Sequence, residues 1–386
     1  MHAESIKTIR YVGKQPTIDI EVDNKEHRYY ANGVATSNSH AISYSINTYL
    51  CAFQKYHFPE EFFCSWLTYS KDKVDPTEEV YELVQDARMM GIKIIPPDIK
   101  RKNMEFTIVG PKQIAFGINY IKGIGASATK AFNKLGAITN FTDLLSATKT
   151  LKKSIVESLV KSGACDSFGL SRMEMLKVIF IIFGRSEKDS RDIPPEYRPL
   201  TDNELQCFLA NIEHGYTAAL YCILTEDACV KKRREIINQK IACLETRPTD
   251  TNRQKSIWER IYLGMNISCS AVDDIEFEKQ GFKTCKEAEN ADSGDFKHPS
   301  IFKICCQVDK VEKKKTSAKS KTPDQDFAFL TVSDNSYALN SVVCWADKYA
   351  EFGEKLQENT VAILEVKKNT WNGRTNIAIQ NVLEVF

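Results

Sequence analysis

The sequence lacks the patterns that mark zinc-binding, secreted or membrane-spanning chains. It has 12 cysteines, but no two are spaced as Cys-x-x-Cys, so we expect no zinc site. Their irregular spacing favours free thiols in a reducing compartment. The longest purely apolar run, Val178–Phe183, is far too short to cross a bilayer, and the N-terminus does not resemble a signal peptide. We therefore predict a cytoplasmic protein without membrane contact.

The sequence also has little net charge. Lysine and arginine total 52 against 51 acidic residues, which leaves a formal charge of +1. This balance excludes a uniformly basic protein, so any contact with nucleic acid must come from local basic patches. The 386 residues, with 42% apolar and 10% aromatic content, indicate a globular chain of two or three domains.

The first forty residues carry a β-hairpin signal. Ile18, Ile20 and Val22 alternate with acidic residues, which is typical of a half-buried strand and places Asp19 on the opposite face. Further on, Asn32-Gly33 lies between two short strand-like runs, and both positions tolerate a positive φ. Taken one at a time, these features describe an ordinary hairpin.

Together with the step Ser37-Asn38-Ser39, the segment resembles the C-terminal fragment of an intein. The resemblance implies that the Asn38 side-chain amide attacks its own main-chain carbonyl and forms a succinimide. The peptide bond to Ser39 then opens. Before that bond opens, the Ser39 hydroxyl has accepted the upstream protein segment as an ester, and afterwards the freed amine of Ser39 takes over that acyl group. The resemblance also implies that Asp19 activates the nucleophile and that His27 assists Asn38. Ser37 stands where many inteins carry histidine, which leaves the splicing efficiency open.

Only about forty residues belong to this pattern, whereas a complete intein has a first half with its own nucleophile. We therefore expect either a naturally split intein or a shortened sequence. The split interpretation implies a partner polypeptide that ends in the matching intein N-fragment.

Four blocks follow in a fixed order and spacing: Ser39–Ser45, Gly91–Ile99, Ile114–Gly125 and Ile155–Asp166. They resemble the fingers region of the alpha subunit of bacterial DNA polymerase III, from Ser39 to about Arg172. The resemblance implies that His40 lies near the incoming nucleotide. Read without it, the first block predicts an amphipathic helix capped by Ser39, with Ile46, Tyr49, Leu50 and Phe53 on one face.

The run Lys122-Gly123-Ile124-Gly125, followed by a helical pattern, resembles the hairpin of a helix-hairpin-helix module. Glycines allow a tight turn and a close approach to phosphate, and Lys122 and Lys130 would add positive charge. Such contacts recognise the nucleic-acid backbone and not its sequence. A Gly-x-Gly taken alone is usually only a turn.

The segment from about Ser300 to Phe386 predicts five short strands separated by turns, which suggests an OB-fold. Single strands bind such folds through basic grooves and stacked aromatic rings. We expect a basic loop between the first two strands, whose DNA-binding candidates are Lys313, Lys314, Lys315, Lys319 and Lys321. Candidate stacking rings, some of which alternation would bury, are Phe327, Phe329, Trp345 and Trp371.

The predicted fold class is therefore a multidomain α+β chain. We expect an intein fragment at 1–38, a mainly α-helical fingers continuation at 39–110, a helix-hairpin-helix region at 111–190, a mixed helical connection at 191–299 and the OB-fold at 300–386. Many members of the resembled family carry a glutamine-led peptide that binds the sliding clamp. Gln206–Leu209 is the nearest candidate, and part of a buried helix is the alternative.

No palm segment was found, and the family order places the palm upstream of Ser39. We therefore predict the C-terminal half of a split polymerase, active as a DNA-directed DNA polymerase only after ligation. It would hold no cofactor itself and would gain Mg²⁺ through the partner half. The expected partners are that N-terminal half, primer-template DNA, and, on the family pattern, a sliding clamp and other replisome subunits. The competing prediction is a non-catalytic DNA-binding accessory protein with an inert N-terminal tail.

Overall fold

The computed structural model describes residues 28–31, 34–37, 39–184, 194–225, 231–275, 281–294, 298–316, 323–371 and 374–386. Five predicted site residues lie outside this part of the chain: Asp19, His27, Asn38, Lys319 and Lys321. The contacts divide the chain into two compact units with the boundary after Pro59.

The first unit contains the predicted hairpin and the helix that follows it. Strand β1 (Arg28–Ala31) pairs antiparallel with β2 (Val34–Ser37), which confirms the predicted hairpin, although Asn32 and Gly33 themselves lie outside the described residues. Helix α1 (Ser39–His57) begins at Ser39. The sequence predicted Ser39 as the N-cap, which would have started the helix one residue later. Its large apolar side chains from Tyr44 to Tyr56 are exposed, with Tyr49 at 67%, and the rings of Tyr49 and Phe53 lie 6.3 Å apart.

The second unit opens with helices α2 (Pro59–Tyr69) and α3 (Pro76–Met89). Asp75 caps α3 by accepting hydrogen bonds from the backbone of Thr77 and Glu78, each at 3.1 Å. A small sheet follows, which the sequence did not predict: β3 (Lys93–Ile95), β4 (Thr107–Gly110) and β5 (Gln113–Ala115). Its order is β3-β5-β4, with β3 and β5 parallel.

Between residue 126 and the barrel, the described residues form nine further helices. They are α4 (Ala126–Phe132), α5 (Phe141–Ser146), α6 (Lys153–Lys161), α7 (Arg172–Phe183), α8 (Asp202–Asn211), α9 (Tyr216–Thr225), α10 (Lys231–Leu244), α11 (Asn252–Leu263) and α12 (Cys285–Asn290). One apolar core, from Phe63 to Met265, joins the inner faces of α4–α11, whereas Cys285 and Ala288 of α12 are buried in the core of the barrel. Helix α7 carries the apolar run Val178–Phe183, most of which is buried in that core. Within the described ranges, no helix has the length and apolar composition that a membrane span requires.

The C-terminal part is a closed five-stranded barrel, which confirms the predicted all-β region. Its elements are β6 (Ser300–Lys315), β7 (Asp326–Ser333), β8 (Ala338–Cys344), α13 (Ala346–Phe352), β9 (Val361–Trp371) and β10 (Arg374–Val385). The order around the barrel is β10-β8-β7-β6-β9, and β10 pairs parallel with β8 through Ala378 and Val343. Side chains such as Ile304, Leu330 and Leu364 fill the interior.

The structure corrects two details of the barrel prediction. Lys313, Lys314 and Lys315 belong to strand β6 and not to a loop, because β6 continues its antiparallel pairing with β7 as far as Lys315 opposite Asp326. Long lysine side chains are compatible with this extension because they remain in solvent. Strand β8 ends at Cys344, and Trp345 precedes the unpredicted helix α13 as its capping residue.

Polar contacts attach the barrel to the helices of the same unit. The Arg260 guanidinium lies 3.2 Å from the Asp309 carboxylate and donates to Asn359 Oδ1 at 2.9 Å. Nearby, the buried Ser256 hydroxyl lies 2.6 Å from Gln307 Oε1. Because these side chains come from α11 on one side and from the barrel on the other, they fix the barrel against the helices.

Candidate nucleic-acid interface

The predicted hairpin lies between a short 3-10 turn, Ile118–Tyr120, and helix α4. Gly123 has φ +93°, which only glycine adopts at little cost, and a Cβ there would lie 3.0 Å from Ser158 Oγ. Gly125 caps α4, and a Cβ added there would meet nothing within 4 Å. The backbone at Gly125 is therefore open to close approach by a ligand.

The two sides of the hairpin differ in chemistry. Ile121 and Ile124 are buried in the helical core, whereas Lys122 and Lys130 are exposed. The backbone N–H of Lys122 donates to the carbonyl of Tyr262 at 2.8 Å, which ties the turn to the end of α11. The structure thus presents the predicted lysines and the glycine backbone to solvent on a fixed support.

A second glycine turn follows α6. Gly163 has φ +85°, and a Cβ there would lie 2.3 Å from the Arg172 guanidinium. Arg172 is 0% exposed and donates to Asp166 at 2.7 Å and to Glu259 at 2.8 Å. Burial disfavours the charged guanidinium, but Asp166 and Glu259 outweigh it and raise the pKa of Arg172 above its ordinary value. Sequence reasoning missed this buried ion cluster, which holds α7 against α11.

The outer face of the barrel carries aromatic rings. Alternation along β7 turns Ala328 and Leu330 inward and leaves Phe327 and Phe329 on the outside. The Trp345 ring is 42% exposed and stacks on Phe327, with centroids 5.8 Å apart and an interplanar angle of 20°. Phe329 packs edge-on against Phe327 at 5.5 Å. We call Phe327, Phe329 and Trp345 the ring patch.

One basic side chain, Lys314 on β6, lies against the ring patch, whereas Lys313 and Lys315 alternate to the other face of that strand. Lys314 Nζ lies 4.7 Å from the centroid of the Phe329 ring, within the range of a cation–π contact. Lys315 pairs with Asp324 at 3.3 Å, and Lys313 is exposed on the same strand. Rings beside lysines are the combination that binds the bases and phosphates of a single strand.

The remaining predicted site residues are less informative. Ser39 and His40 occupy the first turn of α1, and Trp371 ends β9, but their side chains fall outside the described part. The clamp candidate Gln206–Leu209 lies within α8, where Phe208 is 0% exposed, in agreement with the alternative of a buried helix. Among the described residues, no three metal-ligating side chains come together.

A comparison with known protein families identifies the type of motif that contains the hairpin. A family model described as "Helix-hairpin-helix motif" matches residues 91–175, which include the hairpin and the second glycine turn. The chain therefore carries a helix-hairpin-helix motif ahead of a five-stranded barrel.

Curated relatives then identify the particular protein that this chain resembles. The chain is 24% identical to the DNA polymerase III subunit alpha of Chlamydia trachomatis over 371 residues, which are 93% of this chain and 26% of the relative. It is 36% identical to that of Aquifex aeolicus over 146 residues, 36% of this chain and 12% of the relative. The Thermus aquaticus subunit is 35% identical over 139 residues. The chain is homologous to the C-terminal region of this subunit.

The chain thus spans about a quarter or less of the length of the curated relatives it matches. Nothing in these matches supports the intein interpretation of residues 1–38, which stays a prediction.

Proposed function

We propose that the chain supplies the DNA-contacting C-terminal part of a replicative DNA polymerase alpha subunit. The observation that carries the proposal is the combination of homology over 93% of the chain with a helix-hairpin-helix whose glycine backbone and lysines face solvent. The homologues are named as DNA polymerase III subunits alpha. In this proposal the hairpin contacts duplex phosphates through its backbone, Lys122 and Lys130.

The barrel would hold the single-stranded template as an OB-fold. Supporting this assignment are the five-strand closure, the parallel pairing of the third and fifth strands, and a helix between the third and fourth strands. The ring patch would stack on bases while Lys313, Lys314 and Lys315 attract phosphates. Lys319 and Lys321 follow in the same basic stretch of sequence. We include them as phosphate-attracting residues only because of their charge.

The finer proposal concerns how the chain becomes part of an enzyme. We propose trans-splicing, in which Asn38 cyclises, the bond to Ser39 opens, and the freed Ser39 amine receives the upstream acyl group from its own ester. Its support is the sequence pattern of Asp19, His27 and Ser37-Asn38-Ser39, and the position of that step between strand β2 and helix α1.

Polymerisation would then require the partner half. No group of three or more metal-ligating side chains lies within the described residues. We assign Mg²⁺ to the partner half on the resemblance alone, and His40 to the neighbourhood of the nucleotide. Replisome partners and a cytoplasmic location belong to the same proposal.

Titration of the full chain with labelled duplex and single-stranded DNA tests the DNA contacts. We expect the double variant Lys122→Ala/Lys130→Ala to weaken duplex binding and to reduce the slope of log affinity against log salt by about 2, one for each lost phosphate contact. Single-strand binding should not change. The matched control is Lys231→Ala/Lys232→Ala, which removes two exposed lysines from α10. Equal losses in both double variants would exclude a local hairpin contact.

Mass spectrometry of a co-expression with a polymerase half that ends in an intein N-fragment tests the splicing proposal. We expect a ligated product whose downstream part begins at Ser39 and a released fragment that ends in a succinimide at Asn38. Asn38→Ala should block release while the chain still folds. An intact chain beside a functional partner half would exclude splicing and favour the alternative of a non-catalytic DNA-binding accessory protein.

A further inference from the structure

Glu105 lies where three segments of the helical part meet. It follows Met104 in the loop before β4, and its side chain is 38% exposed. One carboxylate oxygen accepts hydrogen bonds from Asn119 Nδ2 at 3.1 Å and from Lys71 Nζ at 3.3 Å. The other lies 2.8 Å from the Tyr120 hydroxyl, which also contacts the Thr68 carbonyl and shares its one proton between the two acceptors. Asn119 and Tyr120 directly precede the DNA-binding hairpin of the proposed function.

The contact continues into the helix that follows the hairpin. The Thr129 hydroxyl, on α4, donates to Asn119 Oδ1 at 2.6 Å. Asn119 therefore bridges Glu105 on one side and α4 on the other. Because Lys122 and Gly125 lie between Tyr120 and Thr129 in the sequence, both ends of the hairpin are connected to this one carboxylate.

Backbone contacts hold the same segment in place. The N–H groups of Ile118 and Asn119 donate to the carbonyls of Asn103 and Met104 at 2.9 and 3.0 Å. A Cβ on Gly117 would lie 2.7 Å from the carbonyl carbon of Glu105. The space beside Gly117 has no room for a side chain, so the Glu105 backbone packs directly against the start of the 3-10 turn.

The ionised form of Glu105 fits this role. Burial alone would raise the pKa of Glu105, but the hydrogen bonds from Tyr120, Asn119 and Lys71 outweigh burial and lower it. For Tyr120, burial first and then the neighbouring Glu105 raise the pKa of the phenol. At neutral pH the carboxylate is therefore charged and the hydroxyl keeps its proton, as the hydrogen bond between them requires.

We propose that Glu105 is a positioning residue for duplex DNA, which sets the hairpin through Tyr120 and the Asn119–Thr129 bridge without contacting DNA itself. The inference rests on the proposed duplex contact of the hairpin. The direction of the change in duplex affinity on removal of Glu105 distinguishes a positioning role from a simple charge effect. A partly exposed carboxylate beside a DNA-binding turn repels phosphate, so its removal should strengthen binding if it only contributed charge. A positioning role predicts the opposite.

Duplex binding of full-chain variants tests the proposal. We expect Glu105→Ala to weaken duplex affinity by about tenfold, because three charge-assisted hydrogen bonds that orient the turn are lost. The salt slope should remain that of the unmodified chain, since no phosphate contact is removed. Glu105→Gln keeps one oxygen acceptor, so its duplex affinity should lie between those of the unmodified chain and Glu105→Ala. Single-strand binding by the barrel should not change.

Glu204 offers a matched control. It is also a partly buried glutamate with three hydrogen bonds, which come from the Thr201 backbone and from two nitrogens of Arg233. Glu204→Gln therefore removes the same charge from α8, where the partners of the carboxylate are Thr201 and Arg233 and not residues of the hairpin. We expect its duplex affinity to stay equal to, or rise slightly above, that of the unmodified chain.

Tyr120→Phe covers the case in which Glu105→Ala fails to fold. It keeps the ring, whose centroid lies 4.5 Å from that of Phe106, and removes only the hydroxyl. A weakening of duplex binding without a change in salt slope supports the proposal. Unchanged or tighter binding in Glu105→Gln and Tyr120→Phe, while Lys122→Ala/Lys130→Ala weakens it, overturns the positioning role and leaves the proposed function standing. If the lysine variant has no effect, the proposed duplex contact itself is wrong.

Discussion

The hairpin and the barrel present candidate DNA-binding surfaces that are built in opposite ways. The hairpin turn depends on the polar groups that hold it, including Glu105, Tyr120 and the Lys122 N–H. In the barrel, the alternation of β7 puts Ala328 and Leu330 inside and the ring patch outside. In the barrel, the residues that stabilise the fold are therefore different from those offered to DNA. In the hairpin, the same short segment serves both purposes.

This difference has a consequence for substitutions. In the helical part, a change in a buried polar group or a tightly packed glycine should alter both stability and duplex binding. In the barrel, an outer ring should be removable at little cost in stability while single-strand binding falls. Four predictions follow this contrast in order of expected effect.

The largest effect is expected for Arg172→Ala in the helical part. Removal of the guanidinium leaves Glu259 buried and without its cation, which costs about 3–5 kcal/mol in the free energy of unfolding. Urea unfolding measures it. The control is Arg247→Ala, because Arg247 is 74% exposed and 3.6 Å from Glu174, so its loss should cost about 0.5 kcal/mol or less. A similar small loss for both variants would contradict the buried ion cluster.

Gly117→Ala should have the next largest effect. The added methyl meets backbone at 2.7 Å, so the segment must shift, at about 1–3 kcal/mol of unfolding free energy, and duplex binding should fall with it. Gly125→Ala is the matched variant, because its methyl meets nothing within 4 Å. We expect Gly125→Ala to keep most of the stability yet to weaken duplex binding by obstructing the backbone. Thermal unfolding and anisotropy titration together distinguish the two.

Trp345→Ala separates binding from stability in the barrel. Loss of one stacked base costs about 1–3 kcal/mol of single-strand affinity, which is roughly 5- to 150-fold. Thr331→Ala, on the same outer face of β7 but without a ring, serves as the control. Equal losses for duplex and single-stranded DNA would argue against a stacking surface. A large drop in melting temperature would show that the ring is structural.

The smallest expected effect is a difference in acid stability between the helical part and the barrel. Hydrogen bonds lower the pKa of Glu105 and Glu204 despite burial, so the stability they contribute is present above the ordinary glutamate pKa and is lost as the pH falls below it. In the barrel, burial raises the pKa of Asp309, so protonation favours the folded state there. We expect amide exchange below about pH 4 to accelerate first in the helical part. Simultaneous loosening of both regions would contradict this order.

Local signals in the sequence were sufficient for several elements. Asn32-Gly33 predicted the β1–β2 hairpin, and the alternating apolar runs after Ser300 predicted the barrel. The three strands β3, β4 and β5 were missed, because runs of three or four residues carry too little periodicity to stand out. The basic run at Lys313–Lys315 was wrongly placed in a loop, since its strand conformation depends on pairing with Phe327 and Asp326.

The supports of the candidate site could not be predicted. Arg172 and Glu259 are 87 residues apart in the chain, and Glu105 meets Lys71 from 34 residues away. Nothing in the local pattern of either residue indicates its partner, because the pairing exists only once the helices have packed. The exposed members of the site, Lys122 and Gly125, were found because a turn is a local feature.

The polar junction between α11 and the barrel has a further consequence. Arg260 and Ser256 of α11 contact Asp309 and Gln307 of the barrel, and the Lys122 N–H of the hairpin donates to Tyr262 of the same helix, so α11 contacts both candidate surfaces. A forked substrate, part paired and part unpaired, would find its second attachment point already at a set distance after making the first. If both surfaces bind DNA as proposed above, the chain should bind a junction of duplex and single-stranded DNA more tightly than either kind of DNA alone.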